Sequence, residues 1–110
     1  MSDAPSKHLF FVYAPDLTDP DAFARRMAVR ERHLVDAGNL VDKGFIKVAG
    51  GLMTPESITG GDRKLIGSTF VVESTDIESV RKVFEADLYY TSNVWDPKAL
   101  TIAPFLPFKI

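Results

Sequence analysis

The run His8-Leu9-Phe10-Phe11-Val12-Tyr13-Ala14 is strongly β-prone and stops at Pro15-Asp16. Alternation puts Phe10 and Val12 on one side of such a strand and Leu9, Phe11 and Tyr13 on the other, so both sides are apolar. Leu65 to Glu73 repeats the feature, with Ile66, Phe70 and Val72 opposite Leu65, Thr69 and Val71. A sheet made of such strands needs a covering layer on each face. That requirement constrains the fold more than any other feature of the chain.

The punctuation between the strands gives the order. Asp19-Pro20-Asp21 predicts a helix start, with Asp19 as N-cap, Pro20 in the first helical position and an acid in the first turn. Phe23, Met27 and Leu34 recur at a helical period, Ala24, Ala28 and Val35 fill in, and Ala37-Gly38-Asn39 predicts the stop. Gly44 to Met53 reads as a strand, and Gly50-Gly51 inside it predicts a bulge or the close approach of another group. Thr54 to Lys64, with Pro55 and Gly60-Gly61, is a hairpin loop.

Ser74-Thr75-Asp76 leads into a second helix, Ile77 to Ala86, whose buried stripe is Ile77, Val80, Val83 and Phe84. Asp87 to Trp95 is a short irregular or helical piece rich in aromatics. Lys98 to Ile110 is β-prone, but Pro104 and Pro107 confine it to an edge or an extended arm. Residues 1–7 are expected to be a flexible N-terminus and 8–110 a single domain, which a chain of 110 residues accommodates. The order β-α-β-β-α-β predicts an α+β, ferredoxin-like fold: an antiparallel sheet with both helices on one face.

Two helices cover only one face. The other would expose more apolar surface than a monomer ordinarily carries, and a second copy packed sheet against sheet is the simplest cover. The alternative is that the C-terminal arm folds over that face.

Composition narrows the function classes. A net charge of −2, with no Lys/Arg run longer than two, argues against nucleic acid as a partner. The absence of cysteine removes disulfides, thiolate catalysis and thiolate metal sites. His8 and His33 show no metal-ligand spacing, so neither metal nor other cofactor is expected. No apolar run approaches the ~18 residues of a membrane span, and the polar start lacks the apolar core of a signal peptide. A cytoplasmic protein without a membrane partner is the expectation.

With these elements in place, the chain resembles the YCII-related family. The opening His8 to Ala14 is similar to that family's first strand, and Arg30-x-x-His33-Leu34 to its helix-borne Arg/His signature. Ala49-Gly50-Gly51 resembles its second strand, Gly67-Ser68 the start of its third, and Ala86-Asp87 its helix-ending Asp. Trp95 and Ile102-x-Pro104-Phe105 are similar too. The likeness runs from about Leu9 to Phe108. It implies a dimeric α/β barrel and a His–Asp dyad at His33 and Asp87, in a family some of whose members eliminate or rearrange small cyclic molecules. The chain departs in one place: Leu88 follows Asp87 where the family usually has proline.

Imidazole titrates near neutrality and suits acid/base work without a metal, and an Asp on one ring nitrogen fixes its tautomer. The competing reading makes His33 structural, holding helix to sheet. Arg30 offers a paired-donor fork for a carboxylate, phenolate or enolate, against an exposed ion pair with Asp21 or Glu31. Ser68 is a candidate donor into the cleft, and Tyr13, Tyr89, Tyr90 and Trp95 candidate walls of it, against ordinary packing roles. Two functions are open: a cofactor-independent isomerase, lyase or cyclase acting on a small cyclic or aromatic molecule, or a non-catalytic ligand-binding or dimerisation module.

Overall fold

The structure, a computed structural model, describes residues 6–108. The expected flexible N-terminus therefore lies largely outside the described residues, as do residues 109–110 of the C-terminal arm. Four strands, β1 (His8–Pro15), β2 (Ile46–Met53), β3 (Leu65–Ser74) and β4 (Thr101–Pro104), form one antiparallel sheet in the order β2-β3-β1-β4. Helices α1 (Ala22–Asp42), α2 (Ile77–Glu85) and the single turn α3 (Leu88–Thr91) follow β1 and β3. This is the expected ferredoxin-like α+β arrangement.

Alternation along β1 sends Phe10, Val12 and Ala14 into the core beneath the helices and leaves Phe11 and Tyr13 on the open face. On β3 the core residues are Ser68, Phe70 and Val72. Phe70 and Val72 thus belong to the helix-covered side. The open face carries instead a row of paired neighbours, Val48, Val71, Phe11 and Ala103, one from each strand. The C-terminal segment forms β4 on the sheet edge beside β1, the edge position its prolines predict, and not the alternative of a cover over that face.

Helix α1 differs from its expected form at both ends. Asp21, not Asp19, is the N-cap, and the Asp19 carboxylate instead takes a paired grip on Arg25 at 2.6 and 2.7 Å. The helix also runs through Gly38, where a mid-helix glycine costs only about 1 kcal/mol. It closes at Gly44, whose φ of +83° suits a residue without Cβ. Gly44 N–H reaches Val41 O at 3.0 Å and Phe45 N–H reaches Leu40 O at 3.0 Å, the two bonds of a Schellman closure.

The buried side of α1 also departs from expectation. Ala22, Arg26, Val29, His33, Ala37 and Leu40 face the core, whereas Phe23, Met27, Leu34 and Val35 are exposed. The helix turns its polar pair inward because Asp16, Gly67 and Ser68 offer partners to Arg26 and Asp87 offers one to His33. Register shifts in β2 fall between Ile46 and Val48 and between Leu52 and Met53. Gly50 and Gly51 pair regularly with Thr69 and Ser68, so no bulge falls there, but the alternative of a close approach holds at Gly51, where a Cβ would meet Leu65 Cδ2 at 2.7 Å.

Helix α2 starts where the Asp76 side chain accepts from Ser79 N–H at 2.7 Å, and lays Val80 and Phe84 on the sheet. Phe84 meets Phe70 at 4.8 Å and Trp95 at 6.1 Å between ring centroids. Burying each such ring stabilises the domain by roughly 1.5–3 kcal/mol. Trp95 is fixed by a bridge to Asp16, with Leu17 N–H on Val94 O and Asp96 N–H on Pro15 O, both at 2.8 Å.

Candidate functional site

A cleft of about 150 Å³ opens between α1 and the β2–β3 pair. One wall comes from α1: Arg26, Arg30, His33 and Ala37, spaced i, i+4, i+7, i+11 along a single face. The opposite wall is the strand segment Ala49-Gly50-Gly51, where no side chain is larger than methyl. Ser68 and Tyr89 line its core end, and Leu34, Leu65 and Phe70 add apolar surface.

His33 is 5% exposed. Its Nδ1 lies 2.9 Å from Asp87 Oδ1. The same oxygen accepts the backbone N–H of Tyr89 at 2.8 Å, because Asp87 is the N-cap of α3. An ionised carboxylate only accepts, so the Nδ1 position carries the proton. Among the described residues Nε2 makes no hydrogen bond, and it is not an enclosed orphan, so it faces the cleft. The imidazole stacks on Tyr89 at 3.7 Å between centroids and 10° between planes, and Trp95 meets it edge-on at 6.0 Å. Burial pushes the Tyr89 hydroxyl above its ordinary range, against the lowering effect of Arg26 and Arg30, so it stays protonated at neutral pH.

Leu88 occupies the first helical position of α3. Proline is favoured there because the N–H of that position has no partner within the helix. With leucine there, Asp87, at φ −64° and ψ 143°, caps the turn and its carboxylate lies beside the imidazole.

Arg26 and Asp16 are the residues that sequence reasoning missed. Arg26 is 3% exposed and bonds Asp16 through Nε at 2.8 Å and Nη2 at 3.2 Å. Nη2 also reaches Gly67 O at 2.8 Å and Ser68 Oγ at 2.7 Å, and the guanidinium lies 4.6 Å from the Tyr89 ring centre. The signal was present: Arg26 stands one turn before Arg30 on the face that carries His33. It went unread because hydropathy makes Phe23 and Met27 the inward side.

Of the other sequence candidates, Arg30 lines the cleft and, among the described residues, has no carboxylate partner. Ser68 lines it too. Trp95 is fully buried behind Ser68, to which its Nε1 donates at 3.2 Å, so it supports the cleft without forming its surface. Tyr13 is not brought there at all. Its odd register puts it on the open sheet face, 40% exposed, because side chains alternate and Val12 and Ala14 take the core side. Among the described residues no three His, Asp or Glu side chains sit together as a metal-binding group, and no helix is long and apolar enough to cross a membrane.

Sheet order, one-sided helices and cleft define a ferredoxin-like α+β domain with the fold of the dimeric α/β barrels. No family model matches the chain. It is 28% identical over 96 residues to fusaric acid biosynthesis protein 2 of Gibberella fujikuroi and equally to that of Gibberella moniliformis, covering 87% of this chain and 90% of each relative. Aspartate kinase FUB3 of Fusarium oxysporum f. sp. lycopersici is 29% identical over 96 residues, but the chain spans only 17% of its length. Among solved structures it is similar to the 5-chloro-2-hydroxyhydroquinone dehydrochlorinase TftG of Burkholderia phenoliruptrix AC1100, in complex with 2,5-dihydroxybenzoquinone. That match has a TM-score of 0.73 and 23% identity, covering 89% of this chain and 93% of the other.

Proposed function

We propose that this is a cofactor-independent proton-transfer enzyme of the isomerase, lyase or cyclase type, a YCII-related homodimer acting on a small cyclic or aromatic molecule. The observation that carries the reading is the buried His33, held through Nδ1 by the capping carboxylate of Asp87 while Nε2 faces the cleft. In the proposed mechanism Nε2 takes a proton from ring carbon or hydroxyl, and the electron pair moves onto a conjugated oxygen. Arg30 and Ser68 hold the oxygen as charge develops, and Asp87 stabilises the imidazolium. The imidazolium then returns its proton at another atom, completing an isomerisation, or to a departing group, completing an elimination.

Two of the relatives are named for fusaric acid biosynthesis, and the structural neighbour is a dehydrochlorinase whose complex holds a single-ring quinone. Both support the substrate class. The homodimer is supported by the apolar row across the open face, to which we assign Tyr13 in place of a substrate role.

The test is solvent-deuterium exchange at the ring carbons of 2,5-dihydroxybenzoquinone, followed by NMR. The parent should accelerate it and His33→Ala should not, with circular dichroism unchanged. Binding of the quinone without exchange would favour the ligand-binding module. An unfolded His33→Ala would return the histidine to a structural role.

A further inference from the structure

Apart from the Tyr89 hydroxyl, the polar atoms at the core end of the cleft are nearly all committed, and the two left over on Ser68 and Arg26 are both donors. Ser68 Oγ has two lone pairs, and two donors point at it: Arg26 Nη2 at 2.7 Å and Trp95 Nε1 at 3.2 Å. Neither donor can accept in return. The Ser68 hydroxyl therefore has only its proton to offer, and no acceptor among the described residues takes it.

Arg26 is in a similar condition. Its Nε and Nη2 edge is spent on Asp16, Gly67 and Ser68, whereas Nη1 makes no hydrogen bond and is not sealed from the cleft. The Asp16 pair and the Tyr89 ring beneath the guanidinium hold that nitrogen in place. A carboxylate ligand prefers two parallel N–H groups on one guanidinium edge. Here the Nε–Nη2 edge is occupied by Asp16, and Nη1 alone remains for a single oxygen.

The free space matches that chemistry. A cavity of about 150 Å³ is known to admit one benzene ring. Ala49 and Gly50 give it a stretch of wall without bulky side chains, and the Leu65 side chain covers Gly51.

We propose that Arg26 Nη1 and the Ser68 hydroxyl form a paired-donor seat for one anionic oxygen borne directly on a six-membered ring, so that the cleft selects enolates of cyclic diketones over neutral hydroxylated rings. The assignment rests on the cleft being the functional site. It adds Arg26 as a substrate-contacting residue and fixes the substrate oxygen as an acceptor. A ring hydroxyl that needs to donate would meet two donors and leave them unpaired.

The probes are cyclohexane-1,3-dione, which is an enolate at neutral pH, and resorcinol as the neutral hydroxylated ring. Calorimetric titration of the parent should show the dione binding at least tenfold tighter than resorcinol. Ser68→Ala, which removes one oxygen, should lower dione affinity about tenfold and leave resorcinol unchanged. Arg26→Lys should do the same if it folds; should it not, Ser68→Ala decides alone. Resorcinol binding as tightly as the dione, or a Ser68→Ala protein that keeps the preference, overturns the proposal. His33→Ala separates this from the proton-transfer reading, since it should keep the enolate preference while losing deuterium exchange. A parent that shows the preference but no exchange counts against the enzyme reading alone.

Discussion

Asp87 Oδ1 lies 2.9 Å from His33 Nδ1 while it accepts the Tyr89 N–H at 2.8 Å, so the carboxylate that caps α3 also orients an imidazole on α1. Fifty-four residues separate the two side chains, and one helix cap brings them together. The cap accounts for Asp at this position even before any chemistry is considered.

Replacing Asp87 with Asn tests the two duties separately. Asn caps helices as well as Asp, so thermal stability should change little. The amide nitrogen, however, can donate to Nδ1 and shift the ring proton to Nε2, which closes the lone pair facing the cleft. Nitrogen-15 correlation spectra of the ring should show the other tautomer, and quinone exchange should fall about hundredfold or more. An Asp87→Asn protein with full exchange would remove Asp87 from the mechanism.

The Asp16–Arg26 pair predicts a different outcome. Both side chains are buried, at 2.8 Å, and removing the carboxylate leaves a guanidinium enclosed without its counter-charge. Asp16→Ala should cost about 3–5 kcal/mol in urea unfolding, an unusually large loss for one short side chain. A loss below about 1 kcal/mol would mean that Arg26 finds solvent when unpaired.

On the open face, Phe11 and Val71 are direct neighbours, and Phe11 lies 6.2 Å from Phe105 between ring centroids. Light scattering should report twice the chain mass for the parent. Phe11→Asp should yield a folded monomer, since a charge there opposes burial but touches nothing in the core. A parent that is already monomeric would sink the dimer and the apolar-row argument together.

Acid should act on a surface pair. The Arg25 guanidinium, hydrogen-bonded to Asp19, lowers that carboxyl from 3.8 to about 2. A depressed folded-state value stabilises the fold above pH 3.8, and the contribution is lost as pH falls through about 2. In Arg25→Gln, carboxyl NMR should find Asp19 titrating higher, towards the ordinary carboxylate range. Both residues are exposed enough for salt to weaken the effect.

The sequence alone determined the element order, because its signals are local. Two-residue alternation marks β1 and β3 wherever they dock, and the Asp76 cap acts within one turn of its own helix. The Arg30–His33 spacing likewise put two cleft residues on one helix face before any fold existed. Which face α1 buries was not a local matter. By hydropathy Phe23, Met27 and Leu34 should point inward, yet Arg26 and His33 do, because Asp16, Gly67, Ser68 and Asp87 arrive from distant segments to satisfy them. The helix end was decided the same way. Gly38 and Gly44 both permit a stop, but only at Gly44 does the chain turn so that Phe45 joins the core and Ile46 enters the sheet. A buried polar group is stable only with its partners in place, and those partners exist only once the sheet has formed.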